Sequence, residues 1–374
     1  MPKAEWTYHN PVQIHAGPGS LSRLPAFVPG KGNILLVTTP GFVKRGLAGR
    51  VVEMLGAERV RVYSDVTPNP ELEDLDNATE RNVTESIATI VAMGGGSVLD
   101  AAKVLSVTLV CGMPRPLHNT LREGTSQNWQ ANLPVIAIPT TSGTGAEVTP
   151  FATVWDSRDH KKYSVTGPAV HPKIALLDPE LTLTLPPKET LFTALDAISH
   201  ALESLWNKNR TIVSEAYAAR ALSAAVWALP RILEHPDDLD ARTTMQQSSL
   251  LAGLAISQTR TAIAHSISYP LTSRYNVPHG LACSFSLTNL ISLYLEQNPE
   301  NEFQDLMIAA HKLLAGLELF KMIDSYASQE QILSLQNEMF TPGRADNFDG
   351  EITDLNGLIS SHRISEKPVP LTRS

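Results

Sequence analysis

Cysteine is nearly absent: Cys111 and Cys283 are the only two in 374 residues. Two thiols cannot build a disulfide framework, and so low a count points to a reducing compartment. Cationic excess is missing too. Thirty Lys and Arg stand against 38 Asp and Glu, leaving a net charge of −8. That balance counts against non-specific nucleic-acid binding, which leans on basic surfaces, while leaving room for a local cationic pocket. No apolar run approaches the roughly 18 residues that a membrane-spanning helix needs. The opening residues Met-Pro-Lys-Ala-Glu-Trp show no basic stretch followed by an apolar one. No secretory signal is read there, and the cytoplasm is the expected location.

What is present describes an ordinary globular protein, with 43% hydrophobic and 18% charged residues. The length suits two domains rather than one small core. In the first half, short β-rich runs alternate with helical periodicity. Pro11 to Leu24 reads as a strand, a Gly17-Pro18-Gly19 turn and a helix start. Ile34 to Thr39 is a strand, followed by helical periodicity through Leu55. Arg59 to Tyr63 is the next strand, Leu72 to Ser86 a helix, and Ile87 to Met93 a strand running into another helix from Ser97. Leu133 to Ile138 and Ile174 to Leu177 are further strands, with a hairpin between them at Phe151–Trp155 and Lys161–Val165. This alternation predicts parallel βαβ units with helices on both sheet faces. After Pro186-Pro187 helical segments dominate: Glu189 to Asn207, Ser214 to Leu233, Thr243 to Thr259 and more beyond Leu281. The expected division is an α/β domain over residues 1–185 and an α-helical domain over 186–374. The stretch after about Leu335 mixes loop and helix signals and yields no assignment.

Ligands of open parallel sheets bind beyond the carboxyl ends of the strands. Gly94-Gly95-Gly96-Ser97 stands at such a place. Three glycines let backbone approach a diphosphate, and the amides opening the next helix point at it. The turn is not the GxGxxG fingerprint and is a weak signal alone. The loop Pro139 to Thr149, rich in hydroxyls and glycine, reads equally as a ribose-binding or nicotinamide-binding loop and as an ordinary polar connection.

The densest chemistry lies between Asp196 and Gly280. Asp196 and His200 are four residues apart, on one face of a helix. Their surroundings, Leu191 to Leu205, are strongly apolar, where an unpaired carboxylate is costly. Two readings fit the pair alone: a hydrogen-bonded couple, or two ligands of a cation. His265 and His279, the latter flanked by Pro278 and Gly280, would complete an Asp-His-His-His set around a divalent ion with room left for substrate. One carboxylate and three imidazoles suit Fe²⁺, Zn²⁺, Ni²⁺ or Co²⁺.

Five segments in order, Gly94 to Lys103, Pro139 to Thr149, Asp196 to Glu203, His265 and Pro278-His279-Gly280, make the chain resemble the iron-containing (group III) alcohol dehydrogenases. These are related by fold to dehydroquinate synthase and glycerol dehydrogenase. The resemblance covers nearly the whole chain. It implies a Rossmann-like dinucleotide-binding domain followed by an all-α metal-binding and catalytic domain. It implies iron held by Asp196, His200, His265 and His279, with NAD(H) or NADP(H) in the cleft. Carried over, Gly94, Gly95, Gly96 and Ser97 would hold the diphosphate, with Asp100 in the same motif. Thr140, Thr141, Ser142 and Thr144 would line the nucleotide, Lys162 and Leu181 would approach its ribose end, and Asn69 would be a further contact. Thr39 closes the first nucleotide strand, where NAD-preferring members often place an Asp. NADPH therefore stays open, and Lys44 or Arg45 either meets its phosphate or is a solvated helix charge. The implied reaction interconverts a small aldehyde and its primary alcohol, the cation polarising the carbonyl as hydride arrives. A dehydroquinate synthase-type lyase and a polyol oxidation of the glycerol dehydrogenase type are the alternatives on this fold. A homodimer is what the family leads one to expect.

Two departures bear on substrate. Tyr269 stands where many members carry a His, and reads as a proton donor or as a packing residue. Arg260 stands just before His265, where small or apolar residues are usual. Its guanidinium matches phosphonate, sulfonate or carboxylate oxygens, and a salt bridge to a neighbouring helix is the other reading. With Tyr8 to Val12, this is similar to the phosphonoacetaldehyde reductase branch. Cys283 reads as a buried packing residue, near enough to the site to be an oxidation liability.

Overall fold

The computed structural model describes residues 5–127, 129–159, 161–340 and 342–361. Its first half is built on six parallel strands, β1 (Gln13–Ala16), β2 (Asn33–Val37), β3 (Val60–Tyr63), β4 (Ile87–Gly94), β5 (Val135–Pro139) and β8 (Ile174–Leu177), in the order β1-β8-β5-β4-β2-β3. The remaining two, β6 (Phe151–Asp156) and β7 (Lys161–Thr166), form a separate antiparallel hairpin. Strands buried on both faces read as unbroken apolar runs rather than alternating ones. In β2, Leu35 and Val37 face one helical layer while Ile34 and Leu36 face the other. The first layer includes α3 (Leu72–Asn82) and α4 (Gly96–Thr108); the second includes α2 (Leu47–Leu55), after the short α1 (Pro40–Lys44).

Because all six strands run the same way, the turns after β2, β4, β5 and β8 emerge on one edge. The chain fills positions to one side of β2 with β3 and to the other with β4, so the turns after β2 and β4 diverge and leave a crevice between them. Thr39 and the triple-glycine bend flank it.

From Pro187 the chain is helical: α5 (Pro187–Leu205), α6 (Ile212–Glu234), α7 (Leu239–Thr259), α8 (Ile263–Tyr275), α9 (His279–Ser284), α10 (Leu287–Gln297) and α11 (Gln304–Gly316), with shorter pieces after them. They enclose a second core around Leu195, Leu202, Trp206, Leu229 and Ile267. We place the division between the halves at residue 185 as a proposal. No helix among the described residues is long and apolar enough to cross a membrane.

Local chemistry explains where element bounds differ from the sequence expectation. The helical stretch after β2 is two helices, because Gly46 takes φ 81° between them. α3 stops at Asn82, and Ser86 adopts φ 49° before β4. After Gly19 the chain winds into a 3₁₀ segment, Ser20–Phe27, with Pro25 inside it. α7 starts four residues earlier than expected, where the Asp238 carboxylate accepts from the Ala241 N–H and caps the first turn. α8 continues through Pro270.

Candidate active site

The sheet side of the cleft is made mainly of backbone and small side chains. Gly95 caps α4, so the bend after β4 delivers the N-terminus of a 13-residue helix to the crevice. A Cβ on Gly96 would strike the Thr144 side chain, and one on Gly95 would lie 3.3 Å from Thr141. Glycine is required here by the close approach of the loop after β5. The Thr140 N–H donates to the Gly94 carbonyl, zipping the two turns together at 3.0 Å. Asn69 reaches the same place, in the left-handed region at φ 61°, its N–H donating to Ser97 Oγ. Thr140 and Ser142 are buried, and Leu181 lies partly buried in the apolar layer at the end of β8. Thr39 caps α1; Lys44 is exposed, and exposed Arg45 lies over the Phe42 ring.

Asp100 is occupied differently from the small residues around it. One oxygen accepts from the Thr153 N–H at 2.8 Å and the other lies 3.4 Å from Lys103 Nζ. Lys103 is wholly buried and also donates to the Ala146 carbonyl and to Thr149. This pair fastens the far end of the Pro139–Thr149 loop to α4. The loop's near end touches the helical half: Gly143 packs on the Thr193 carbonyl and Gly145, at φ 60°, on Gly253 of α7, with no space for a Cβ at either. Thr193 is one turn before Asp196, so the Pro139–Thr149 loop and the helix of the charged cluster meet directly.

That cluster has one centre. Asp196 Oδ1 lies 3.5 Å from His200 Nε2, 3.4 Å from His265 Nε2 and 3.7 Å from His279 Nε2. Four donors at about 2.1 Å from a shared cation in a tetrahedron are separated by about 3.4 Å. The three spacings from Asp196 match that value, and Asp196, His265, His279 and Cys283 form the group whose donor atoms all lie within 4.8 Å of one another. Asp196 Oδ1 and His265 Nε2 are buried and have no hydrogen-bond partner, a state that a cation relieves. Burial raises the Asp196 carboxyl, but His200, His265 and His279 outweigh it and hold it well below the usual carboxylate range. Burial pushes His279 down to about 3 and lowers His200 as well, keeping these lone pairs free of protons at neutral pH. The His279 side chain is 36% exposed, against 4–7% for the other three. The cluster therefore opens on the His279 side.

Glu203, part of the quoted motif but given no role from the sequence, orients this set. Its Oε2 accepts from His265 Nδ1 at 2.6 Å, while Oε1 accepts the Ala264 and His265 N–H groups that open α8. A carboxylate only accepts, so Nδ1 carries the proton and Nε2 is the nitrogen turned to the cluster; burial lowers this imidazole, but Cys283, Glu203 and Asp196 outweigh it and hold it well above its ordinary value. Glu203 is seven residues after Asp196, two helical turns on the same face, and that spacing was the available signal. The position of His279 is set by Gly280, whose Cβ, if it had one, would fall on the Phe192 carbonyl oxygen of α5. Cys283 Sγ lies 3.6 Å from His279 and belongs to a tight group with Asp196, His265 and His279.

Tyr269 sits four residues beyond His265 on α8, its ring stacked on Trp155 at 6.1 Å. Its phenol is raised by burial and accepts from the Lys162 N–H. Lys162 lies with Nζ 5.3 Å from the Trp155 ring, and burial brings its ammonium down to about 8. Arg260 ends α7 at φ 65°, its guanidinium 5.1 Å over Phe151. It has no carboxylate partner among the described residues.

A parallel sheet with a glycine bend at its crevice, facing a helical half that gathers a carboxylate and three imidazoles, defines a two-domain, metal-dependent dehydrogenase. Residues 11–179 match the family model described as iron-containing alcohol dehydrogenase, and residues 190–339 its C-terminal counterpart. The chain belongs to the iron-containing alcohol dehydrogenase family. It is 33% identical over 303 residues to long-chain-alcohol dehydrogenase 1 of Geobacillus thermodenitrificans, covering 80% of this chain and 76% of that one. It is 35% identical over 279 residues to phosphonoacetaldehyde reductase of Streptomyces viridochromogenes, covering 73% and 68%. Sulfoacetaldehyde reductase of Bifidobacterium kashiwanohense, solved with NAD⁺, superposes with a TM-score of 0.86 at 29% identity, over 96% of this chain and 97% of that one.

Proposed function

We propose that this enzyme reduces a small anionic aldehyde, of the phosphonoacetaldehyde type, to its primary alcohol with NAD(P)H and a divalent iron. The carrying observation is Arg260. It is held over Phe151 by a left-handed backbone, five residues before His265, and has no carboxylate partner among the described residues. A guanidinium left unpaired beside a site is suited to an oxyanion it can grip with two parallel N–H bonds. Two of the relatives are named for aldehydes bearing an anionic group.

Aldehyde, NAD(P)H and one proton give alcohol and NAD(P)⁺. A bound cation supplies Lewis-acid polarisation of the carbonyl and the dinucleotide supplies the hydride. The protein supplies the rest. The Gly95–Ser97 bend and Thr140, Thr141, Ser142 and Thr144 orient the dinucleotide, with Asn69, Thr39, Asp100, Lys162 and Leu181 around it. Asp196, His200, His265 and His279 hold the cation, and Glu203 fixes the His265 tautomer. The partly exposed His279 side is the way in for substrate. Tyr269, four residues beyond His265 and stacked on Trp155, is the proton donor in this reading. We take the enzyme to be a cytoplasmic homodimer. The test is Arg260→Ala: kcat/KM for phosphonoacetaldehyde drops far more than for propanal. Equal losses with both aldehydes would refute the anionic substrate.

A further inference from the structure

The segment after residue 335, whose mixed loop and helix signals yield no assignment from the sequence, returns to the cleft. Ser266 Oγ donates to the Met339 carbonyl, and Asn347 Nδ2 donates to the Thr261 and Gly343 carbonyls at 2.9 and 3.1 Å. The Lys208 N–H donates to the Asn347 carbonyl and the Asp349 N–H to that of Trp206. These bonds pin residues 343–349 against Thr261 and α8, one residue from Arg260. Arg344 stands inside the pinned stretch, half-buried.

We infer that Arg344 supplies a second guanidinium to the pocket that receives the anionic end of the substrate, opposite the carbonyl held at the imidazole cluster. This rests on the anionic-aldehyde reading above. The charge of Arg344 acts on Lys162, Arg260 and Tyr269, lowering the first two after burial has done so. Like charges that converge while partly desolvated repel one another unless an anion sits among them. The carboxylates nearby are engaged elsewhere: Glu338 with Arg274, Asp346 with the Gly343 N–H, Asp349 with Arg210, Asp100 with Lys103. Among the described residues, Lys162, Arg260 and Arg344 have no ion-pair partner. The missing counter-charge is what a phosphonate, sulfonate or carboxylate on the substrate would bring.

The experiment uses the iron-loaded full chain with phosphonoacetaldehyde and propanal, comparing wild type, Arg344→Ala, Arg344→Lys and Arg260→Ala. Loss of a charge-assisted bond predicts that Arg344→Ala raises KM for phosphonoacetaldehyde about 10- to 100-fold with little change in kcat. Arg344→Lys restores part of that. Inorganic phosphate, as an inhibitor of propanal reduction, binds Arg344→Ala more weakly by a similar factor. Arg344→Gln, which keeps the bulk, replaces the alanine variant should that one fail to fold. An unchanged KM for phosphonoacetaldehyde, or an equal loss with both aldehydes, overturns the role of Arg344. If Arg260→Ala abolishes the preference for the anionic aldehyde and Arg344→Ala does not, this inference falls alone. If wild type shows no such preference, the substrate reading falls with it.

Discussion

Two buried ionic groups lie on either side of the cleft and are treated in opposite ways. Beneath the nucleotide loop, Lys103 donates to the Ala146 carbonyl and Thr149 and pairs with Asp100, which accepts from Thr153. Charges are matched there, and the bonds they make fix the shape of a loop. Between α5, α8 and α9, the Asp196 oxygen and a His265 nitrogen are buried with nothing to bond. The lesson is that burial of charge alone does not mark a site; unpartnered donors gathered around one carboxylate do. The first cluster is architecture; the second has the donor set and the unpartnered atoms that suit a cation.

The comparison breaks most visibly at Asp196. Asp196→Ala loses its metal and more than about 1000-fold in kcat/KM, because several kcal/mol of carbonyl polarisation disappear. The metal-stripped variant melts close to metal-stripped wild type, since an orphaned carboxylate has gone. A variant still holding one iron per chain by elemental analysis would contradict the assignment. Lys103→Met should do the reverse. Removing one member of a buried, bonded pair destabilises by about 3–5 kcal/mol, read as the denaturant midpoint, while the metal bound per folded molecule stays the same. Substantial metal loss at unchanged stability would erase the distinction between the two clusters.

Glu203→Gln tests the link between fold and site. Partners that orient a metal-bound imidazole are worth about 10- to 100-fold in affinity, so a chelator competition should show a loss in that range with the helices intact. The effect confined to one pH range concerns Glu147, buried beside Lys103 and raised by burial to about 7 from 4.5. A carboxyl raised on folding loses stability as pH climbs from about 4.5 through 7, because its charged form is favoured in the unfolded chain. Glu147→Gln should remove that slope, about 3 kcal/mol at most. Parallel melting curves of variant and wild type across this pH range would show the charge to be neutralised already.

How much was legible in the sequence follows the same division. The glycine bend could be read because only glycine lets two backbones touch there, and Asp196 with His200 because helical spacing puts them on one face. The alternation of strands and helices gave the parallel sheet, since strands buried on both sides are continuously apolar. Glu203 was in view but assigned nothing, as its role depends on α8 arriving at its carboxylate. Arg344 was out of reach: it lies in a stretch without periodicity, brought to the cleft by main-chain bonds to Asn347 that no pattern of side chains announces. The early end of α3 and the break at Gly46 turn on single backbone angles.

The absence of a side chain at Gly280 has one further effect. With α9 resting main chain against main chain on α5, the backbones that carry His279 and Asp196 are held at one fixed separation. A side chain at position 280 would push α9 off α5 and carry His279 away from Asp196, so the bare glycine sets how closely the two donors stand.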